Sequence, residues 1–123
     1  MKITLKGVPP SLNTTSGRNN CCVYRKTKQI WTEAVYIACI ACHERPKTPY
    51  QRAMVRIDYF FPDRRRRDPD NYSGKFLLDG LTKAGIILDD DFKHISLSQH
   101  GFMDRTQPRT ELHITEVPKE MWW

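Results

Sequence analysis

The sequence predicts a single α+β domain in which two helices pack on one mixed β-sheet. Strand-like and helix-like segments alternate in the order β-α-β-α-β-β, and no linker or internal repeat divides the 123 residues. A chain of this length can bury one substantial core but not two. We therefore expect residues 1–123 to form one domain.

Three segments show the alternation of apolar and polar residues that is typical of half-buried strands. They are Lys2–Lys6, Ala53–Phe61 and residues 110–115. Ala53–Phe61 is the strongest of the three, and its β-branched and aromatic residues favour a central position in the sheet. It leads directly into Pro62, so we expect the end of a rigid strand to hold the residues that follow.

Two segments have the periodicity of amphipathic helices. The first covers residues 26–43, and its apolar stripe predicts a side buried in the core. The stripe consists of Ile30, Ala34, Ile37, Ala38 and Ala41, widened by Trp31, Val35 and Cys42. The second helix is predicted to start between Pro69 and Ser73 and to end at Gly85, because glycine commonly follows the last turn of a helix.

Polar segments and an apolar tail complete the chain. Residues 11–20 are predicted to form a flexible loop, and residues 98–108 a polar turn region before the last strand. The chain ends in Met121-Trp122-Trp123, which is unusually apolar for a free terminus. This tail either docks on its own domain or lies in a subunit contact.

The chain is basic, with a formal net charge of +6 and a pI of about 9.3. Because the positive charge is concentrated locally and aspartates are bunched inside it, a phosphate backbone fits better as a partner than a membrane. No apolar run approaches the roughly 20 residues of a transmembrane helix, and the first residues lack the long apolar region of a signal peptide. We therefore expect a cytoplasmic protein with no membrane partner.

Four cysteines occur in two pairs, Cys21 with Cys22 and Cys39 with Cys42. In a cytoplasmic chain they are expected to be reduced. The four could be drawn as a zinc site, but Cys39 and Cys42 fall within a helical pattern rich in alanine and isoleucine. We therefore favour buried free thiols over a metal site.

The residues with the most distinctive chemistry lie between positions 62 and 91. Arg64-Arg65-Arg66-Arg67 precedes Asp68 and Asp70, and Asp89-Asp90-Asp91 follows one helix later. Carboxylates about 4 Å apart repel by roughly 1 kcal/mol in water and by more at lower dielectric, so they must raise a pKa or bind a cation. Aspartate is a hard oxygen ligand suited to Mg²⁺ or Mn²⁺, and such an ion can polarise a phosphodiester. We interpret the segment as a divalent-metal nuclease site in which the arginines hold the polyanion.

Plainer interpretations exist for the same residues. A single aspartate beside an arginine most often forms an ion pair, and Lys75 can pair with Asp79 one turn later on its helix. That pair is compatible with a role for Lys75 beside the carboxylates that precede the helix. In an extended segment Asp90 would face away from Asp89 and Asp91, so only one or two of the three can point into the site.

The segment from position 62 to 91 resembles the RusA family of Holliday junction resolvases, endodeoxyribonucleases of bacteria and their prophages. The close resemblance covers about a quarter of the chain, and its motif is highly specific. The matching residues are Asp63-Arg64-Arg65-Arg66-Arg67-Asp68-x-Asp70-Asn71, Lys75, Asp79, Leu81-Thr82-Lys83-Ala84-Gly85 and Leu88-Asp89-Asp90, with Pro9-Pro10-Ser11-x-Asn13 near the start.

The resemblance implies a Mg²⁺-dependent homodimer that resolves four-way DNA junctions by paired symmetric nicks, in recombination and repair. It implies that Asp68, Asp70 and Asp90 are catalytic metal ligands and that Lys75 is the catalytic lysine. The DNA-contacting residues that it implies are Arg64, Arg65, Arg66, Arg67 and Lys75. In one departure, the chain has one residue more than the family pattern just before Lys75, in a segment that includes Gly74.

Two other functions stay open on the residues alone. A non-catalytic basic DNA-binding protein would use the arginines for binding and the aspartates only as their partners. A metal nuclease that acts on other branched DNA would share the site but not the substrate. The sequence also leaves open whether one or two metal ions bind, which of Asp89, Asp90 and Asp91 is a ligand, and where the subunits meet.

Overall fold

The computed structural model describes residues 1–12 and 21–121. Most of the predicted loop of residues 11–20, and the final two tryptophans of the predicted apolar tail, therefore lie outside the described residues. Within the described ranges no helix is both long enough and apolar enough to cross a bilayer.

The predicted mixed sheet is confirmed. Its strands are β1 (Lys2–Lys6), β2 (Ala53–Phe61), β3 (Ile95–Met103) and β4 (Arg109–Glu116), in the spatial order β1-β4-β2-β3. β4 pairs antiparallel with both β1 and β2, whereas β2 and β3 are parallel. β2 is a central strand, as its β-branched and aromatic residues predicted.

Both predicted helices are present, although their bounds differ from the prediction. In the described part of the chain α1 spans Cys21–Ile40, and α2 spans Lys75–Lys83. The predicted start of α2 between Pro69 and Ser73 is wrong, because a separate 3-10 turn at Pro69–Asn71 occupies that segment. Gly74, with a φ of 70°, then redirects the chain before α2 begins.

The predicted end of the second helix at Gly85 is confirmed. Gly85 has a φ of 74° and donates its backbone N–H to the carbonyl of Thr82 at 3.1 Å. The next residue, Ile86, donates to the carbonyl of Leu81 at 3.0 Å. These two bonds form a Schellman motif, in which a left-handed glycine satisfies the last carbonyls of the helix.

One apolar core joins the helices to one face of the sheet. Its most deeply buried side chains come from both helices, from the two central strands and from the segment after α2. They are Val35, Cys39, Leu77, Leu81, Ile86, Ile87, Val55, Ile57, Leu112 and Ile114. Because strand side chains alternate between faces, the residues between them on β2 and β4 point to the opposite face of the sheet.

The predicted apolar stripe of α1 is confirmed only in part. The members that pack on the core are Trp31, Ala34, Val35, Ala38 and Cys42. Ile30 and Ile37, which dominate the predicted stripe, are 62% and 61% exposed, whereas Val35 and Cys39 are fully buried. A Cβ on Gly80 of α2 would lie 2.5 Å from the Cβ of Val35, so the missing side chain lets the two helices approach there. That close contact, which the periodicity of α1 does not reveal, decides which side is buried.

The predicted turn region of residues 98–108 is also wrong in its first half. β3 continues to Met103 and pairs along its whole length with β2, from Ala53↔Ile95 to Phe61↔Met103. Its polar residues and Gly101 obscured the strand pattern, but they are tolerated because β3 is an edge strand with most of its side chains exposed. The turn is confined to the residues after Met103, where Asp104 accepts two backbone N–H bonds.

The four cysteines are free thiols, as expected, but only Cys39 is buried. Cys42 is half-buried, and Cys21 and Cys22 are exposed on α1. Burial, with a smaller contribution from Cys42, raises the pKa of the Cys39 thiol to about 12. Cys39 is therefore an inert apolar core residue at neutral pH.

Candidate functional site

Asp63 organises the arginine run directly after β2. Its Oδ1 accepts the backbone N–H of Arg65 at 2.9 Å and lies 2.8 Å from Nη1 of Arg67. The Arg65 hydrogen bond, followed by the Arg67 one, holds the pKa of Asp63 below its usual range. Arg67 also lies over the Phe61 ring, 4.5 Å from its centroid, and is only 17% exposed. Arg67 therefore shapes this segment, in addition to any contact that it makes with DNA.

The other three arginines of the run are exposed. Arg64, Arg65 and Arg66 face solvent, and the side chain of Arg66 is 88% exposed. Arg66 Nε lies 3.3 Å from Oδ1 of Asp68, in an ion pair that solvent screens strongly. These three guanidinium groups are free to reach a phosphate backbone.

Asp68 lines a small cleft with an aromatic wall. It is half-buried and precedes the 3-10 turn Pro69–Asn71 without capping it through its side chain. Tyr59, Phe61 and Tyr72 line the same cleft, and their ring centroids are 5.3 to 5.9 Å apart. Asp70 is exposed inside the turn. The carboxylate of Asp68 thus lies at the border between a packed aromatic cluster and solvent.

A neighbouring cleft contains Lys75 and shares the two tyrosines of the first. Its lining includes Pro9, Pro10, Tyr59, and the segment from Asn71 to Leu77. Gln99 of β3 fixes the shared wall, because it donates to the Tyr72 carbonyl at 2.5 Å and accepts the Tyr59 hydroxyl at 2.6 Å. The tyrosines therefore form the partition between the Asp68 cleft and the Lys75 cleft.

Gly74 places Lys75 at the first position of α2. A Cβ at Gly74 would lie 2.8 Å from Cδ1 of Ile57, so the backbone passes close to the sheet where a side chain does not fit. Lys75 is therefore the first residue of α2, directly after this close approach of the backbone to the sheet.

Lys75 makes contact with two carboxylates. Its Nζ lies 3.1 Å from Oδ1 of Asp79 and 3.5 Å from Oδ2 of Asp90. The hydrogen bond with Asp79 is the main cause that raises the pKa of Lys75, and the charges of Asp79 and Asp90 add to it. The predicted local pair with Asp79 occurs. The second contact is with Asp90 of the later acidic segment, whereas the sequence placed Lys75 beside the carboxylates that precede the helix.

The acidic segment at positions 89–91 presents its three carboxylates differently. Asp90 faces Lys75, Asp89 accepts the backbone N–H of Asp90 at 2.8 Å, and Asp91 hydrogen-bonds the ring and backbone of His94. Contact with His94 holds the pKa of Asp91 below its usual range. Asp90 is thus the member of the three that contacts the catalytic lysine candidate.

The chain is 42% identical over 72 residues to crossover junction endodeoxyribonucleases named RusA from Escherichia coli strain K12, Shigella sonnei and Enterobacteria phage 82. This similarity supports the resemblance to the RusA family that the motif indicates. The match covers 54% of this chain and 53% of each relative, so the chain spans about half the length of the curated relatives it matches. No family model matches the chain.

The RusA-like motif residues do not all converge. Asp68 lines one of the two neighbouring clefts and Lys75 lines the other. Asp90, which contacts Lys75, lines a separate cleft with Phe92. Among residues 1–12 and 21–121, two groups of three ligating side chains have their ligand atoms within 4.8 Å of one another, and neither joins Asp68, Asp70 and Asp90. The two groups are Asp89 with Asp91 and His94, and Asp58 with Glu111 and His113.

Two residues of the site were not predicted as such. Asp79 was expected as a helix partner of Lys75 and as a residue of the matching motif, but no role in the site was assigned to it. Its second oxygen, Oδ2, is buried without a hydrogen-bond partner. Gln99 lay in a predicted turn, so its role behind the two tyrosines could not be foreseen. The spacing from Lys75 to Asp79 predicts their contact, but only the tertiary structure reveals the unpaired oxygen.

Proposed function

We propose that this protein is a metal-dependent endodeoxyribonuclease that resolves four-way DNA junctions. The observation that carries the proposal is Lys75 held between Asp79 and Asp90, beside the cleft that contains Asp68. A lysine and several carboxylates next to exposed arginines match what hydrolysis of a phosphodiester requires: bound phosphate, a cation site and a fixed positive charge. The names of the similar proteins support the same reaction and substrate class.

The donor set fits a hard divalent cation. Asp68, Asp70 and Asp90 offer only oxygen, and Asp79 adds a buried oxygen without a hydrogen-bond partner. Mg²⁺ usually keeps several waters and is held by one or two carboxylates together with substrate phosphate, so the aspartates need not converge before DNA binds. When bound, Mg²⁺ or Mn²⁺ would polarise the scissile phosphodiester and neutralise developing charge.

The protein's own cations complete the site. The Nζ of Lys75 is protonated at neutral pH, as in any ordinary lysine, and the hydrogen bond with Asp79 raises its pKa further. It can therefore stabilise negative charge on the phosphate or on the leaving oxygen. Its position at the start of α2 adds the partial positive charge of the helix N-terminus. Arg64, Arg65 and Arg66 would provide salt-sensitive affinity that is largely independent of sequence.

A two-fold homodimer suits the proposed substrate. A four-way junction has near two-fold symmetry, so two equivalent active sites would meet two equivalent strands and cut them in paired, symmetric positions. Because cellular DNA is the proposed substrate, in recombination and repair, we place the protein in the cytoplasm.

Incision of synthetic DNA tests the proposal. The purified protein is offered a four-way junction, a three-way junction, a flap and a linear duplex, with and without Mg²⁺. We expect Mg²⁺-dependent symmetric incision of the four-way junction, and an Asp70→Asn variant that still binds the junction but no longer cuts it. Equal cutting of the linear duplex would contradict junction resolution and favour a nuclease of other branched or linear DNA.

One contact favours a second candidate, a DNA-binding protein without catalysis. Arg66 lies 3.3 Å from Asp68, as expected when the aspartate only balances the arginine run. Under this alternative the Asp68→Asn variant binds DNA more strongly than the wild type, and neither the variant nor the wild type cuts DNA in Mg²⁺. Under the nuclease proposal the same variant loses the cutting that the wild type performs.

A further inference from the structure

The face of the sheet opposite the helices carries a second group of acidic side chains. Asp58 on β2 lies directly across from Glu111 on β4 in the strand register, and both are buried, at 5% and 9% exposure. Like charges directly opposite each other on neighbouring strands destabilise a sheet. This pair therefore requires positive charge close to both carboxylates.

In each carboxylate an arginine pairs with one of the two oxygens. Arg56 Nε lies 2.8 Å from Oδ1 of Asp58, and Arg109 Nε lies 2.8 Å from Oε2 of Glu111. The second oxygens, Asp58 Oδ2 and Glu111 Oε1, face Nε2 of His113. Lys2 approaches Glu111 Oε1 at 3.5 Å, but its side chain is half exposed and can move away without unfolding the sheet.

The ring nitrogen of His113 lies too far from both carboxylates for a hydrogen bond. Nε2 is 3.4 Å from Asp58 Oδ2 and 3.4 Å from Glu111 Oε1, and it is buried without a hydrogen-bond partner. Hydrogen bonds between such groups normally measure about 2.7–3.2 Å. Nε2 of His113 therefore faces two carboxylate oxygens without a hydrogen bond to either.

The same distances fit the ligands of a tetrahedral metal ion. Zinc–nitrogen and zinc–oxygen bonds of about 2.0–2.1 Å place neighbouring ligand atoms roughly 3.3–3.4 Å apart. One imidazole with two carboxylates is a donor set that zinc and related transition metals accept, whereas Mg²⁺ prefers oxygen alone. Three protein ligands leave the fourth position for water, and the partly exposed His113 provides access from solvent.

We propose that Asp58 Oδ2, Glu111 Oε1 and His113 Nε2 form a binding site for a transition-metal ion of the zinc class. The site is distinct from the proposed nuclease site, because its three ligands lie on the face of the sheet opposite the helices. All three ligands project from the two central strands, β2 and β4, which hold them in fixed positions. A bound ion joins these strands and neutralises the opposed carboxylates.

The other candidate group, Asp89 with Asp91 and His94, is a poorer metal site. Asp91 Oδ1 already accepts from both the ring and the backbone of His94, and Asp89 Oδ1 accepts a backbone N–H. Asp89 and Asp91 are also exposed. Its ligand atoms therefore stabilise the local turn, whereas His113 Nε2 is unpaired.

Titration with Co²⁺ in millimolar Mg²⁺ tests the proposal without any DNA. Co²⁺ replaces zinc and absorbs visible light more strongly in tetrahedral than in octahedral coordination, and the Mg²⁺ occupies oxygen-only sites. The titration uses a Cys21→Ser, Cys22→Ser background, because both exposed thiols also bind Co²⁺. His113→Gln and His94→Gln are compared in that background, since each removes one histidine from one of the two groups.

We expect one Co²⁺ per chain with tetrahedral absorption, displaced by Zn²⁺, in the background protein and in His94→Gln. In His113→Gln the affinity should fall at least about tenfold, while circular dichroism confirms that the variant is folded. Zn²⁺ should also raise the thermal midpoint of the background protein but not of His113→Gln. Binding that is lost in His94→Gln, binding equal in both variants, or no binding above that of Mg²⁺ would each overturn the proposal. Glu111→Gln repeats the test should His113→Gln fail to fold.

Discussion

The two faces of the sheet carry acidic side chains in different settings. On the helix side, Asp79 and Asp90 come from a helix and a loop and share the flexible, half-exposed Lys75. On the opposite face, Asp58 and Glu111 project from central strands, and each pairs with its own arginine. Carboxylates on loops and helices remain available to a ligand, whereas the backbone hydrogen bonds between paired strands hold the carboxylates on those strands in place. We therefore expect the first group to govern DNA cleavage and the second to govern stability.

The largest expected effect is on cleavage by Asp90→Asn. Losing the charge that faces Lys75 should slow single-turnover cutting of a four-way junction by roughly 100-fold or more. The urea midpoint should change little, because the side chain lies on a partly exposed loop. Asp89→Asn is the matched control, since Asp89 accepts a local backbone bond, and an equal loss from this control would contradict the assignment of Asp90.

Gly74→Ala should disturb the start of α2 on the helix side of the sheet. A φ of 70° and a Cβ 2.8 Å from Ile57 should together lower the free energy of unfolding by roughly 1–3 kcal/mol, and the shifted Lys75 should slow cleavage as well. Gly85→Ala is the control, because it has a similar φ of 74° but nothing within 4 Å of the added Cβ. Urea unfolding should give a smaller loss for Gly85→Ala; equal losses would mean that the contact with Ile57 is unimportant.

On the face opposite the helices, Glu111 should make the stability of the protein depend on pH in the acidic range. The hydrogen bond from Arg109, helped by the charge of Lys2, holds the pKa of Glu111 below its usual value. Its contribution to stability is therefore present above the unfolded-state pKa of about 4.3 and is lost as the pH falls through the lower folded-state pKa. Urea midpoints measured against pH should converge for wild type and Glu111→Gln at acid pH, whereas a constant difference would exclude this origin.

The smallest expected effects are those of substituting two neighbouring arginines, one of which should affect DNA binding and the other stability. Arg66→Ala should weaken junction binding a few-fold and reduce the slope of log affinity against log salt by up to about 0.9, without changing stability. Arg67→Ala should instead lower the urea midpoint, because Arg67 packs on Phe61 and binds Asp63. Identical salt slopes for Arg66→Ala and wild type would show that Arg66 makes no phosphate contact.

Helix α1 illustrates where sequence reasoning succeeds and where it fails. The spacing of its apolar residues correctly predicts a helix, because that periodicity follows from the geometry of the helix itself. The same spacing predicts that Ile30 and Ile37 are buried, and both are exposed. A helix with apolar residues on more than one side can be buried on any of them, and the contact of Val35 with Gly80 decides the outcome.

The candidate site divides in the same way. The arginine run, Asp68, Asp70 and the second acidic segment stand out in the sequence, because their charges are clustered along the chain. The contact of Lys75 with Asp90 depends on the path of the chain after α2, and the partition built on Gln99 depends on an edge strand whose pattern is weak.

The sequence by itself determined the alternation of buried and exposed residues along β2, the end of α2 at Gly85 and the position of the charged motif along the chain. Each of these follows from the geometry or charge of residues that are close in sequence. Only the tertiary structure decided which side of α1 is buried and which carboxylates meet across β2 and β4. Those outcomes depend on how surfaces that are distant in sequence pack against each other, and local periodicity carries no information about that packing.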